Sequence, residues 1–312
     1  MTARGAKSNP RNNPFTLGPT DATCTGMSEQ TVGVAQMQHP LVRRLLAGNP
    51  SPFTYTGTQT YLVGTRDVAV IDPGPDLPEH VDAIVAAIGD ARVRAIVCTH
   101  THRDHSPAAA ELKARTGAPI IGCAPLALDD AGPRADASFD RDYSPDEAMG
   151  EGGTIAGDGW TLQAVHTPGH TSNHICYALP EAGALFTGDH VMGWSTSVVV
   201  PPDGNMGHYL ESLERLQARE QDSVYYSAHG DPIERPQRFV RGLVGHRKQR
   251  EGQILRLLER DVALIPDMVQ QMYVGVDPRL HTAAGLSVLA HLIDLETRGI
   301  VRRDDTLWSL AA

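Results

Sequence analysis

The feature that most constrains this chain is the segment Cys98-Thr-His-Thr-His-Arg-Asp-His-Ser106. Four side chains able to ligate a metal, His100, His102, Asp104 and His105, fall within six residues. Directly upstream, Arg94–Cys98 reads RAIVC, a short apolar and β-branched run of the kind that forms a buried strand. Such a chain must leave a buried strand, enter a polar loop and still gather that loop's donors. Alternate residues of an extended strand point to opposite faces, so His100 and His102 cannot reach one ion from a regular strand. The loop is therefore expected to bend.

The flanking pattern places this loop in an α/β fold. Thr58–Val63 and Val68–Ile71 read as a hairpin ending at Asp72-Pro-Gly-Pro, and Leu77–Ile88 has helical spacing at His80, Val81, Ile84, Val85 and Ile88. Pro107–Thr116 is a strong helix former with Gly117 as its C-cap, followed by a strand at Pro119–Ile121. Strand, helix and strand in succession mean α/β architecture. Asp129–Asp158 reads as loop. Further strands are expected at Trp160–His166, Ile175–Leu179, Ala184–Thr187 and Ser223–Ser227, with a helix at Gly207–Glu220. The tail has helical patterns at Leu243–Glu259, Ile265–Tyr273 and Pro278–Thr297 and then a short hairpin, the outline of a winged helix. The expected organisation is a flexible extension over 1–35, a catalytic domain over 36–235 and a winged-helix domain over 236–312.

Three more donors each follow an expected strand: His170 in HTPGH, Asp189 in FTGD and His229 in SAHGD. Strand ends on one edge of an α/β sheet converge in space, and sites gather there. Composition then bears on the ion. The chain has 14 His but 4 Cys, and Cys24, Cys98, Cys123 and Cys176 show no paired spacing. Five histidines and two aspartates suit two borderline divalent cations, Zn²⁺ first, with Mn²⁺ or Fe²⁺ accepted by the same donors. Cys98 and Cys176 read as core residues rather than nucleophiles.

In this string and its later partners the chain resembles the metallo-β-lactamase-fold superfamily of metal-dependent hydrolases, over about residues 50–235. The resemblance implies an αββα sandwich. It implies that His100, His102 and His170 hold one metal, that Asp104, His105 and His229 hold a second, and that Asp189 bridges the two. Asp72 falls outside that ligand set; the resemblance gives it a supporting role, hydrogen-bonded around the metal loop. The opening NPSPFTYTGTQTYLVG and the winged-helix ending resemble the bacterial and mitochondrial subgroup that includes the mammalian β-lactamase-like endoribonuclease. The segment WSTSVVVPPDGNM within residues 194–206 has no role assigned by its chemistry.

The chemistry implied is hydrolysis of an ester-type bond by a metal-bridging hydroxide. Asp104 is the candidate catalytic carboxylate, orienting the nucleophile or taking its proton. True β-lactamases of this fold generally carry Cys or Ser where Asp189 stands, so β-lactamase activity is expected to be secondary. The substrates weighed are a small ester-type molecule, as for a glyoxalase-like thioesterase or a lactonase, and single-stranded RNA. The charge opposes RNA: residues 235–312 hold 12 basic and 9 acidic residues, while the rest hold 15 and 28. An alternative of another class is a metal-sensing winged-helix regulator. Possible substrate contacts are His174, His190, His208 and Tyr209, with a structural role weighed equally for His166 and His174. His39, His80 and His246 are expected at the surface. The helix around Leu286, Leu289, Leu292 and Ile293 is expected to pack on the core or on a second copy in a homodimer. No membrane-spanning run and no secretory leader are read, so a cytoplasmic location is expected.

Overall fold

The computed structural model describes residues 30–126 and 138–311. A first sheet runs β1 (Gln36–His39), β2 (Val42–Leu46), β3 (Gln59–Val63), β4 (Asp67–Ile71) and β5 (Arg92–Val97) in spatial order. All its pairings are antiparallel except β4 with β5, which are parallel and joined by α1 (Pro78–Ile88). After β5 come α2 (Ala108–Thr116) and the two-residue strands β6 (Ile121–Gly122) and β7 (Glu147–Ala148). The second sheet is ordered β12-β11-β10-β9-β8, built from β8 (Thr154–Gly157), β9 (Trp160–His166), β10 (Ile175–Leu179), β11 (Ala184–Gly188) and β12 (Val224–Ser227). The parallel pair β11 and β12 is connected through α3 (Met206–Gln217).

The sheets face each other across an aromatic core. Tyr61 of the first sheet lies 5.1 Å from Phe186 and 5.6 Å from Tyr226 of the second, ring centre to ring centre. The Trp160 indole N–H donates to the Asp67 carbonyl at 2.8 Å, tying the sheets at one end. Val81 and Ile84 of α1 and Ala109 and Leu112 of α2 join this core. A second core sets Tyr209, Leu213 and Leu216 of α3 against Cys176, Leu185 and Tyr225 of the second sheet. The result is the expected αββα sandwich. Strands covered on both faces read as continuous apolar runs, as β3, β10 and β11 do.

The tail forms α4 (Pro236–Leu258), α5 (Ile265–Met272), α6 (His281–Thr297) and the hairpin β13 (Val301–Asp304) with β14 (Leu307–Leu310). Helix α4 serves two cores. Val240 and Leu243 pack with the sandwich, whereas Ile254 and Leu257 pack with Met268, Leu292 and Trp308 of the tail. Ala290 of α6 also joins the sandwich core, so α6 does pack on the body of the molecule. No helix among the described residues is long and apolar enough to cross a membrane.

Several expectations are corrected. The start of the expected catalytic domain holds two strands that the sequence pattern did not mark. These are β1 and β2; Val32, within the expected extension, pairs with Leu46, while residues 1–29 lie outside the described residues. The Arg pair in β2 hid that strand from an apolar pattern: Arg44 is only 4% exposed. Strand β8 lies inside the stretch expected to be loop, marked only by its pairing with β9. Helix α4 starts at Pro236, seven residues before the apolar spacing becomes visible. His80 is 2% exposed, and His39 and His246 are half-buried rather than at the surface.

Candidate metal centre

The seven expected donors meet at one edge of the sandwich, at the carboxyl ends of four strands. His100, His102, Asp104 and His105 follow β5, His170 follows β9, Asp189 follows β11 and His229 follows β12. The loop after β5 bends as it must. His100 Nε2 comes within 2.9 Å of His102 Nδ1, and His170 Nε2 within 3.1 Å of the same atom. His102 thus faces the cluster with Nδ1 and its neighbours with Nε2. Two lobes result, His100, His102, His170 and Asp189 in one and Asp104, His105 and His229 in the other. Asp104 Oδ2 stands 3.3 Å from His105 Nε2 and 3.1 Å from His229 Nε2.

Asp189 addresses both lobes. Its Oδ1 is 3.3 Å from His229 Nε2 and 3.6 Å from His105 Nε2, and its Oδ2 is 3.7 Å from His170 Nε2. A turn with positive φ delivers it. Gly188 has φ +49°, and a Cβ there would lie 2.6 Å from Thr99 Oγ1 and 2.7 Å from His174 Nε2. Only glycine fits under that conformation and that contact.

The residues fit a cation pair. A tetrahedral shell with bonds of about 2.0–2.1 Å has ligand-to-ligand edges of roughly 3.3 Å, and the donor separations bracket that value. His105 Nε2 and Asp189 Oδ1 are buried with no hydrogen-bond partner, which is costly unless something else binds them. The far nitrogen of four ligands is tied down. His105 Nδ1–H donates to Asp72 Oδ2 at 3.0 Å, His170 Nδ1–H to the Val198 carbonyl at 2.5 Å and His229 Nδ1–H to the Gly57 carbonyl at 3.1 Å. Thr99 donates to Asp72 through both its N–H and its hydroxyl, at 2.8 Å each, and its Oγ1 lies 3.0 Å from His100 Nδ1. These bonds fix the tautomers that leave the inward nitrogens bare.

Asp72 adopts φ +48°, an unusual conformation that aspartate tolerates better than most residues. Burial and neighbouring imidazoles push His100 well below the usual histidine range, and burial takes His102 down to about 3. At His105 burial pulls the same way, but Asp104, Asp189 and Asp72 together override it and the ring is held well above that range. His229 is raised by Asp189 and Asp104, again against burial.

The expected substrate contacts separate. His174, His190 and Tyr209 are 1%, 0% and 0% exposed and lie beneath the ligands rather than above them. Their rings form a column: His174 is 5.1 Å from His100, His190 is 5.7 Å from His174, and Tyr209 is 4.7 Å from His190. Burial there reflects α3 closing over the second sheet. His208 is exposed in the first turn of α3, where its backbone N–H donates to Asn205 Oδ1 at 2.9 Å. His166 reaches the Met149 carbonyl at 3.2 Å, a structural bond.

Sequence reasoning missed Arg247 and the carbonyls of Gly57 and Val198. Arg247 of α4, 2% exposed, lies over the Tyr209 ring at 5.2 Å and donates to the Ser197 carbonyl. Ser197 Oγ donates in turn to the His190 carbonyl at 2.8 Å. Part of the segment 194–206 therefore braces His170, with the tail helix holding it from behind. Backbone acceptors have no signature in a sequence; the signal that could have found Arg247 is its place among Leu243, Val244 and Ile254 on the apolar side of α4.

The model of the metallo-beta-lactamase superfamily matches residues 54–229, and that of the beta-lactamase associated winged helix domain matches residues 265–308. A beta-lactamase-like protein 2 homolog of Caenorhabditis elegans is 30% identical over 265 residues, covering 83% of this chain and 85% of that protein. An atrochrysone carboxyl ACP thioesterase of Aspergillus terreus is 32% identical over 227 residues, 71% of this chain and 64% of that enzyme. Among solved structures, a beta-lactamase domain protein from Burkholderia ambifaria shares the fold with a TM-score of 0.75 at 20% identity, over 90% of this chain and 95% of that one.

Proposed function

Because the chain belongs to the metallo-beta-lactamase superfamily of hydrolases, we propose that its two-lobed cluster holds two divalent cations, Zn²⁺ in the first instance, and hydrolyses an ester-type bond, with a thioester as the preferred class. The observation that carries the reading is the Asp189 carboxylate, with one oxygen turned to each lobe. The thioester is favoured by the thioesterase among its relatives and by the acidic balance of residues 1–234, which disfavours a polyanion. When bound, two such cations supply Lewis acidity to the scissile carbonyl and lower the pKa of water.

The chain's own residues then have distinct tasks. His100, His102 and His170 would hold one cation, Asp104, His105 and His229 the other, and Asp189 would bridge. Asp104 has a quarter of its side chain exposed against 11% for Asp189, so it is the carboxylate that water and substrate can approach. Thr58 donates to its Oδ2 at 3.4 Å. Asp104 is placed to orient the attacking water and accept its proton. Among the described residues a cysteine nucleophile is disfavoured: Cys98, Cys123 and Cys176 are fully buried, and burial pushes the thiols of Cys123 and Cys176 up to about 12.

The test is a hydrolysis panel on metal-loaded protein: an acyl thioester, a lactone, a cephalosporin, a phosphodiester and single-stranded RNA. The thioester should be cleaved fastest, and a chelator should abolish the rate. Asp104→Asn should lose activity well beyond its loss of metal. Preferred cleavage of RNA would overturn the thioester assignment, and an unchanged rate after complete metal removal would overturn the metal centre.

A further inference from the structure

Two segments that support the metal ligands also carry aromatic side chains with no part in ligation, and these meet beside His229. The loop between β2 and β3 carries Phe53 and Tyr55, and the segment after β11 carries Trp194. Tyr55 and Trp194 stack face to face, with ring centres 4.8 Å apart and planes 14° from parallel. Both are half-buried, and Phe53 is 55% exposed.

The pair is built against the metal centre. Gly193 N–H donates to the His229 carbonyl at 3.0 Å, and a Cβ on Gly230 would lie 3.1 Å from Trp194 Cβ, so Trp194 rests on the backbone that carries a ligand. On the other side, Gly57, two residues from Tyr55, accepts from His229 Nδ1.

The loop is also braced by its own hydrogen bonds. Asn49 Oδ1 accepts from Thr58 N–H at 2.9 Å, Thr54 Oγ1 donates to the Asn49 carbonyl at 2.6 Å, and Ser51 Oγ accepts from Thr54 N–H at 3.0 Å. It holds Tyr55 at φ +58°, a conformation that bulky residues rarely adopt and that is kept where the surroundings over-determine it. A self-braced loop that presents a strained, half-buried tyrosine and an exposed phenylalanine at the rim of a hydrolytic centre is preorganised to receive an apolar group.

We propose that Tyr55 and Trp194, with Phe53 at the rim, form the seat for an aromatic or extended apolar acyl group of the substrate. The identity of that group as an acyl chain rests on the thioester reading above. The seat sets specificity by burying the acyl group's face against the pair, so that aromatic acyl thioesters outrun the acetyl thioester of the same thiol.

Two measurements test it. The first is kcat/KM for a 2-naphthoyl and an acetyl thioester in the protein and in Tyr55→Ala, Trp194→Ala and Trp194→Phe, with metal content measured in each. The preference for naphthoyl over acetyl should fall about tenfold in the alanine variants and be largely restored by Phe, since a ring in the seat is worth on the order of one decade. A parallel fall for both substrates would reduce the pair to a brace for His229 and overturn the proposal. The second needs no turnover: titration with 2-naphthoate, followed by tryptophan fluorescence. Trp160 and Trp308 are 1% and 2% exposed, so saturable quenching reports on Trp194 and should vanish in Trp194→Phe. Quenching without thioesterase activity would sink the functional reading and leave the seat standing. Thioesterase activity without quenching would do the reverse.

Discussion

The donors contributed by the first sheet and those contributed by the second are held in different ways. The first sheet gives four from a single bent loop, and a carboxylate stands behind them: Asp72 bonds His105 directly and reaches His100 through the Thr99 hydroxyl. The second sheet gives three from three separate strand ends. Its two histidines are backed by one peptide carbonyl each, Val198 for His170 and Gly57 for His229. A carboxylate behind an imidazole both orients it and raises its basicity, whereas a carbonyl orients without adding charge. The first set is therefore expected to answer to one residue, and the second to whatever holds the peptide segments in place.

Replacing Asp72 is the most severe way to break that contrast. Asn tolerates the positive φ at this position, so Asp72→Asn removes charge and leaves the backbone intact. Whichever way the amide turns, it offers one acceptor where the carboxylate offered two. An amide N–H₂ against His105 Nδ1–H would drive the proton to Nε2, the atom that faces the cluster. Metal affinity should fall about 10–100-fold, and the loss should appear at both lobes because His100 and His105 belong to different ones. Metal content after dialysis against graded chelator measures it. Retention of one cation at full affinity would show that Thr99 holds His100 without help.

The second set is probed through Arg247. This buried guanidinium has no carboxylate partner within bonding distance among the described residues; it is held by the Ser197 carbonyl and the Tyr209 ring. Arg247→Met keeps the apolar stem and removes the charge. Taking an unpaired charge from the core should leave the melting temperature unchanged or slightly higher. Freeing Ser197 should loosen the adjacent Val198 carbonyl and with it His170, giving about a tenfold weaker hold on metal, confined to the His100, His102 and His170 lobe. A large fall in melting temperature together with equal losses at both lobes would show that α4 supports the whole sandwich rather than this one ligand.

The same contrast explains what could be read from the sequence. A contiguous loop concentrates its signal, so the bend after β5 followed from His100 and His102 needing one ion from an otherwise alternating backbone. The dispersed donors were legible because each follows a strand, and strand ends in α/β folds converge. Their supports were not legible. Val198 and Gly57 act through peptide carbonyls, which every residue possesses, and Arg247 is a charged residue whose only mark is its place on the apolar side of α4. His174, His190 and Tyr209, read as possible substrate contacts, are buried, because nearness in sequence to His170 and Asp189 does not say which side of the sheet a side chain takes. Strand β2 escaped notice because Arg43 and Arg44 break the apolar pattern, although Arg44 is buried.

His80 was misplaced for a reason that leads to the mildest test. Its spacing with Val81, Ile84 and Ile88 puts it on the apolar stripe of α1, and the stripe outweighs the polarity of the imidazole. Thr60 Oγ1 donates to the Asp72 carbonyl at 2.7 Å, so its lone pair accepts from His80 Nε2–H at 2.8 Å. His80 thus lies two hydrogen bonds behind the strained residue that supports the first set of ligands. Burial lowers its pKa to about 4 from an ordinary 6.5. The unfolded chain therefore binds a proton that the folded one refuses, and the sign follows: stability is full above pH 6.5 and declines as pH falls toward 4, by up to about 3 kcal/mol. A glutamine can donate to Thr60 without titrating. His80→Gln should flatten this part of the urea-unfolding profile between pH 7 and 4.5 while leaving metal content at pH 7.5 unchanged. If metal is lost at pH 7.5 as well, the imidazole is needed to hold Thr60 and Asp72 in place, and the support behind the first sheet's loop runs two residues deeper than Asp72, through Thr60 to His80.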